Sequence, residues 1–201
     1  MTDSFRETIQ PREAFVSRLR LRFFLLAGLV LIGLGFSSQT CHAGISKAYE
    51  IKAIFLFNFS QFVSWPADSA PAPQSSFTIG VLGDNPFGDY LEQTVHGEKA
   101  SGRAIVVQQY LRVEDVKNCE ILFISQSESR HFKDDLAALH GRNILTVGDA
   151  DGFSKNGGIV RFVTEQNKIH FRIDLEAAKA AGLTISSQLL RLAEIISPGE
   201  E

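Results

Sequence analysis

The stretch Gly80-Val81-Leu82-Gly83-Asp84-Asn85 runs from an apolar segment into a turn, with Pro86 and Gly88 just beyond. Chemistry suited to that placement is anion capture, because backbone N–H groups at a strand-to-helix turn can cradle a phosphate. Gly83, Asp84, Asn85 and Gly88 would then hold a small anion or a nucleotide. The spacing is not G-x-G-x-x-G and no Gly-Lys-Ser/Thr follows, so a tight turn is the plainer reading. Beyond the first 43 residues the histidines are His96, His131, His140 and His170, none three or four residues from another. A metal site built from sequence-local ligands is therefore unsupported. His131 and His140 bracket a helical pattern with Asp134 and Asp135 between them, which suits a solvated helix face. Cys119 heads an apolar run and reads as a core thiol rather than a nucleophile. No G-x-S-x-G elbow is present. An enzyme is disfavoured, and no cofactor or metal is expected.

The elements that would position these groups alternate. Residues 46–65 read as a helix, and 67–76 as a surface connection rich in Pro, Ala and Ser. A strand over 77–83 is followed by a helix to about Val95, capped by Asn85 with Pro86 at its first position. Strands follow over 104–109 and 119–125, then a helix over 129–140 and a strand over 143–147. The run Ile121-Leu122-Phe123-Ile124 suits a strand buried on both faces, as in parallel sheets covered by helices. After a turn-rich segment, 159–164 and 168–173 alternate strictly, a hairpin signal. A short helix over 174–181 ends at Gly182, and Ser186 caps a last helix through Ile196. The expected fold is α/β: one layered domain, a central largely parallel sheet flanked by helices, with a C-terminal antiparallel hairpin and terminal helix.

The N-terminus has another purpose. Arg18, Arg20 and Arg22 precede an uncharged run, Phe23–Phe36, and small and polar residues lead to Cys41-His42-Ala43. This is the layout of a secretory signal peptide, and the run is short of the roughly 20 residues that span a bilayer. Residues 1–43 are expected to be removed between Ala43 and Gly44, leaving 44–201 as one domain in the periplasm. Five of the 20 basic and three of the 23 acidic residues lie in 1–43, so the remainder carries 15 basic and 20 acidic, a net charge near −5. That balance argues against a nucleic-acid partner. With Cys41 removed only Cys119 is left, so no internal disulfide is expected.

Two segments carry an excess that a monomer does not need. Placed on a helical wheel, Ile54, Trp65, Asn58, Ile51, Phe62, Phe55, Phe59, Val63 and Leu56 fall in one arc of about half the circumference. A helix burying that arc would leave Phe57 outside, with Ala53, Ser60, Gln61 and Ser64, for another helix or a partner protein. It would also bury Asn58, whose amide then needs hydrogen-bond partners. In the hairpin, a turn at Gln166-Asn167 pairs Phe162 with Phe171 on one side. On the other side it pairs Val163 with His170 and Arg161 with Arg172. Arg161, His170 and Arg172 would make a solvated basic spot on an acidic protein, open to an acidic patch of a partner or a small anion.

The segments KAIFLFNFSQFVSWP, FTIGVLGDNPFG, CEILFIS and GIVRFV…IHFRIDLEAAKAAGLTISSQLLRLAEII, in this order, resemble the YfiR family of periplasmic proteins, also called DUF4154. The resemblance implies a compact α/β regulator. In the family's named member it is a repressor that binds the periplasmic sensor domain of an inner-membrane diguanylate cyclase. Release of that repression raises cyclic di-GMP and promotes exopolysaccharide and biofilm. The resemblance further implies sequestration by an outer-membrane-associated lipoprotein, and homodimers. That member carries disulfides, and Cys119 looks like one of its half-cystines. The strand 77–83 offers no partner Cys, so redox control is not carried over. The alternative is a periplasmic module that binds a small anion or nucleotide at Gly83–Gly88 and reports to a membrane receptor or histidine kinase.

Overall fold

A computed structural model describes residues 47–66 and 75–201. The expected signal segment with its Ala43–Gly44 junction, and all but the end of the 67–76 connection, lie outside the described residues. Helix α1 (Lys47–Phe62) runs into the two-residue strand β1 (Val63–Ser64). The helix stops short of the expected end because Pro66 disfavours helical backbone at the residue before it. Val63 and Ser64 instead pair antiparallel with β9 (Thr184–Ile185). The remaining elements, in chain order, are β2 (Phe77–Leu82), α2 (Tyr90–Val95), β3 (Lys99–Ala100), β4 (Arg103–Tyr110) and β5 (Ile121–Ile124). Then come α3 (Phe132–Leu139), β6 (Leu145–Gly148), β7 (Val160–Glu165), β8 (Lys168–Asp174), α4 (Leu175–Ala180), α5 (Ser187–Leu190) and β10 (Glu194–Ile196).

Eight strands form one sheet in the order β10-β8-β7-β6-β5-β2-β4-β3. The five from β7 to β4 are mutually parallel. The sheet is therefore the expected largely parallel one. Its two faces are buried by alternate residues of the same strands. Ile121 and Phe123 join Phe77, Ile79, Val81, Leu145 and Val147 beneath α1 and α2. Leu122 and Ile124 join Leu82, Ile144, Phe132 and Leu136 on the α3 side. At Gly80 a Cβ would lie 2.7–2.8 Å from Tyr110, Cys119 and Leu122, so the second core closes directly over this backbone.

Two elements differ from expectation. Asn85 does not cap a helix: its Oδ1 accepts from Phe87 N–H at 2.9 Å and its Nδ2 donates to Gly88 O at 3.1 Å. That closes a local turn, Gly88 takes φ +53°, and α2 starts only at Tyr90. The expected last helix through Ile196 is four residues long. Glu194–Ile196 instead extends the sheet beside β8, with Ile195 in register with Ile173. The β-branched pair Ile195-Ile196 favours that pleated edge over further exposed helical turns.

Candidate functional site

α1 is the element whose composition the fold does not consume. Its inward face is Lys52, Ala53, Leu56, Phe59 and Ser60, continued by Val63. Small Ala53 and Ser60 let the helix approach the sheet, and Phe55 and Phe59 stack against Phe162 and Phe171 at 5.3–6.0 Å. This rotation differs from the wheel expectation. Ala53 and Ser60 are inside, and only Leu56, Phe59 and Val63 of the apolar arc are fully buried. Phe57 is half-buried and packs against the core cluster. The outward face carries Ile51 at 36% and Ile54 at 44% exposure, with Asn58 half-buried beside them and Phe62, also half-buried, packed against the core cluster. Asn58 is thus not a buried amide. It makes no side-chain hydrogen bond among the described residues. α1 also packs against β8 and α5. Leu192, 69% exposed, follows α5, and Ile195, 46% exposed, shares the sheet face of Ile173.

What sets the rotation is a buried ion pair. Lys52 Nζ lies 2.5 Å from Asp149 Oδ2, with side chains 8% and 7% exposed. Asp149 directly follows β6 at the C-terminal edge of the parallel strands. Lys52 also sits 4.3 Å from the Tyr49 ring centroid, and Tyr49 packs edge-on to Phe87 at 5.5 Å. Burial, then the Asp149 carboxylate, pushes the Tyr49 phenol pKa well above its ordinary value. Lysine is almost never buried unpaired, so this contact directs Lys52 inward and turns Ile51 and Ile54 outward. Sequence counting missed the pair because nothing along the chain links positions 97 residues apart.

The other expected site residues are placed as follows. Gly83 has φ +83°, and the space a Cβ would take there is filled by Ser127 and Glu128. Asp84 N–H donates to Ser127 Oγ at 3.0 Å. With Asn85 and Gly88 engaged in their own turn, the glycine corner is closed and has a carboxylate at its mouth, the wrong charge for an anion cradle.

The hairpin register is as expected: Phe162 opposite Phe171, Val163 opposite His170 and Arg161 opposite Arg172. Gln166 and Asn167 take positive φ at the turn. The two arginines share a face but are not a free basic spot. Arg161 is buried, paired with Asp151 and, at 2.6 Å, with Glu201. Arg172 pairs with Glu194 at 2.7 Å and Glu165 at 3.5 Å, and donates to the Glu201 carbonyl at 2.8 Å. The carboxylates offset the repulsion of two facing cations. His170 is exposed. Cys119 is a buried free thiol whose pKa burial pushes up to about 12, which makes it inert rather than nucleophilic.

Set beside known proteins, no curated protein matches the sequence. Solved structures similar to it include two at low identity. The ABC domain from Streptococcus pneumoniae, in complex with L-Trp, is 11% identical with TM-score 0.50, covering 72% of this chain and 60% of that one. A conserved domain protein from Vibrio cholerae is 14% identical with TM-score 0.43, covering 59% and 54%. The chain spans about three fifths of the streptococcal structure, and that likeness is one of α/β fold. Residues 49–194 match the DUF4154 family, described as YfiR/HmsC-like. Since that match runs from α1 into β10, the chain belongs to the YfiR/HmsC-like family.

Proposed function

We propose that this protein is a non-enzymatic periplasmic regulator that binds the periplasmic part of an inner-membrane sensor. By the family's pattern that sensor is a diguanylate cyclase, which the protein represses, lowering cyclic di-GMP and biofilm formation. The observation that carries the reading is the outward face of α1. Exposed Ile51 and Ile54 flank Asn58, which makes no side-chain hydrogen bond among the described residues, on a helix whose lysine is turned inward. Apolar side chains around one amide are the composition of an interface core, where an amide adds register and the apolar groups add affinity. The partner therefore offers an apolar strip with a backbone or side-chain group that satisfies Asn58. A photo-crosslinker at position 54 should capture an inner-membrane protein, and deletion of this protein should raise cyclic di-GMP. Capture of nothing from membranes, with unchanged cyclic di-GMP, would reject the reading.

A further inference from the structure

A second, separate feature lies on the other side of the molecule. Between α3 and α4 is a cavity of about 590 Å³, within the roughly 300–1,000 Å³ typical of small-molecule sites. Leu136 and Leu139 of α3, Ile144 and Ile159 at the sheet, and Ala177 and Ala180 of α4 give it apolar walls. Around these walls stand four basic residues, Lys133, His140, Arg142 and Lys155.

Their partners, or lack of them, define the ligand. Lys133, His140 and Lys155 are exposed and form no ion pair among the described residues. Arg142 Nη2 donates to the Val116 and Lys117 carbonyls, which fixes the guanidinium. Its Nε and Nη1 have no protein partner among the described residues. The two acids at the cavity are already engaged. Asp174, 2% exposed, accepts from Glu176 N–H and Ala177 N–H as the cap of α4, and Glu176 pairs with Lys179 at 2.7 Å. An acidic protein thus gathers three cations without an ion pair among the described residues, Lys133, Arg142 and Lys155, around an apolar hollow. A bare phosphate would leave the walls unused, and an uncharged lipid would leave the cations unpaired. A nucleotide would find no Phe, Tyr or Trp ring among the lining residues to stack on.

We propose that this cavity binds a small amphiphilic carboxylate, its apolar body against Leu136, Leu139 and Ile159 and its head on the surrounding cations. Neither the docking face of α1 nor the Gly83 turn takes part. The test uses the exported protein with decanoate as probe, followed by calorimetry and by backbone amide shifts in NMR. Decanoate should bind and shift amides around Leu136, Thr146 and Ala177. Decanol and inorganic phosphate should each bind at least about tenfold more weakly, since one lacks the charge and the other the body. Two variants separate site from fold. Ala180→Trp fills the hollow, and the triple change Lys133→Glu, His140→Glu, Lys155→Glu alters only exposed groups. Each should weaken decanoate binding about tenfold or more while leaving the unfolding midpoint close to that of the parent. No decanoate binding in the millimolar range, shifts elsewhere, equal binding of decanol or phosphate, or a triple variant that binds normally would overturn the proposal.

Discussion

Replacing Lys52 by Met keeps the length of the side chain and removes its charge. It strands Asp149, whose side chain is 7% exposed and whose Oδ1 already has no hydrogen-bond partner. Removing one member of a buried pair typically costs about 3–5 kcal/mol, because the surviving charge stays desolvated. The Tyr49 phenol, whose pKa is raised by burial and by the Asp149 carboxylate, stays beside that carboxylate but is neutral and does not replace the lost cation. At about 2–4 °C per kcal/mol for a domain of this size, the melting temperature should fall by about 6–20 °C. Trp65 is the single tryptophan. It packs against Phe77 at 5.1 Å and donates to Glu120 O at 3.2 Å, so its fluorescence reports unfolding in urea. The double variant Lys52→Met, Asp149→Leu should recover most of the loss, since an apolar pair of similar volume replaces a buried ion pair at little cost. A single variant within about 1 kcal/mol of the parent, or a double variant no better than the single, would refute the view that this pair is buried and mutually dependent.

Three further outcomes follow from the same structure. Ile51→Asp with Ile54→Asp should abolish crosslinked partner capture while moving stability by only about 0.5 kcal/mol; a folded variant that still captures its membrane partner would count against the α1 face. Arg161→Glu should destabilise the hairpin side of the domain by about 3–5 kcal/mol, because it puts a carboxylate where the Arg161 side chain is buried, facing Glu201 and the exposed Asp151; full stability in urea would contradict a buried Arg161. Stability should also fall as pH rises above about 9. The Cys119 thiol, ordinarily near 9.0, and the Tyr110 phenol, ordinarily near 10.0, are each raised by burial to about 12. Both groups stay protonated in the fold, so their contribution is complete below the unfolded values and is lost as pH climbs toward the folded ones. Cys119→Ala should flatten the decline between pH 9 and 10, and an unchanged slope there would argue for an accessible thiol.

The fold was legible wherever the signal was local. The apolar run Ile121–Ile124 announced a strand buried on both faces, and strict alternation through 160–173 gave the hairpin together with its register. Residues whose environment is set from a distance were not legible. Arg161 and Arg172 alternate like solvent-facing positions, yet Arg161 is buried and the two pair with carboxylates at Asp151, Glu194 and Glu201. Nothing in the local pattern marks those acids as partners. Glu194–Ile196 was equally ambiguous, since three residues after a helix do not reveal whether an open sheet edge lies beside them. The glycine corner at Gly83 is the tight turn of the plainer reading, but what closes it was not legible: the space its missing Cβ leaves is taken by Ser127 and Glu128 from the next strand-to-helix turn.

The rotation of α1 links these points to function. Local patterning favours burying the arc centred near Ile51 and Phe62. The fold instead buries Ala53, Ser60 and Lys52 and shows two isoleucines to water. Burying a lysine while exposing Ile51 and Ile54 forfeits hydrophobic burial on the order of 1 kcal/mol or more for each partly exposed side chain. A conflict between local pattern and global structure marks functional sites more often than packing errors. Here it has a defined physical cause, because Asp149 at the edge of β6 requires a cation and Lys52 supplies it. The same contact that satisfies Asp149 also fixes which face of α1 is turned outward, the face proposed to meet a partner. Asn58 then has a role that a core position would not give it. On an outward apolar strip an amide is solvated while the protein is alone. In a complex it must be paired, so it favours a partner that presents a matching polar group and disfavours one that is merely apolar.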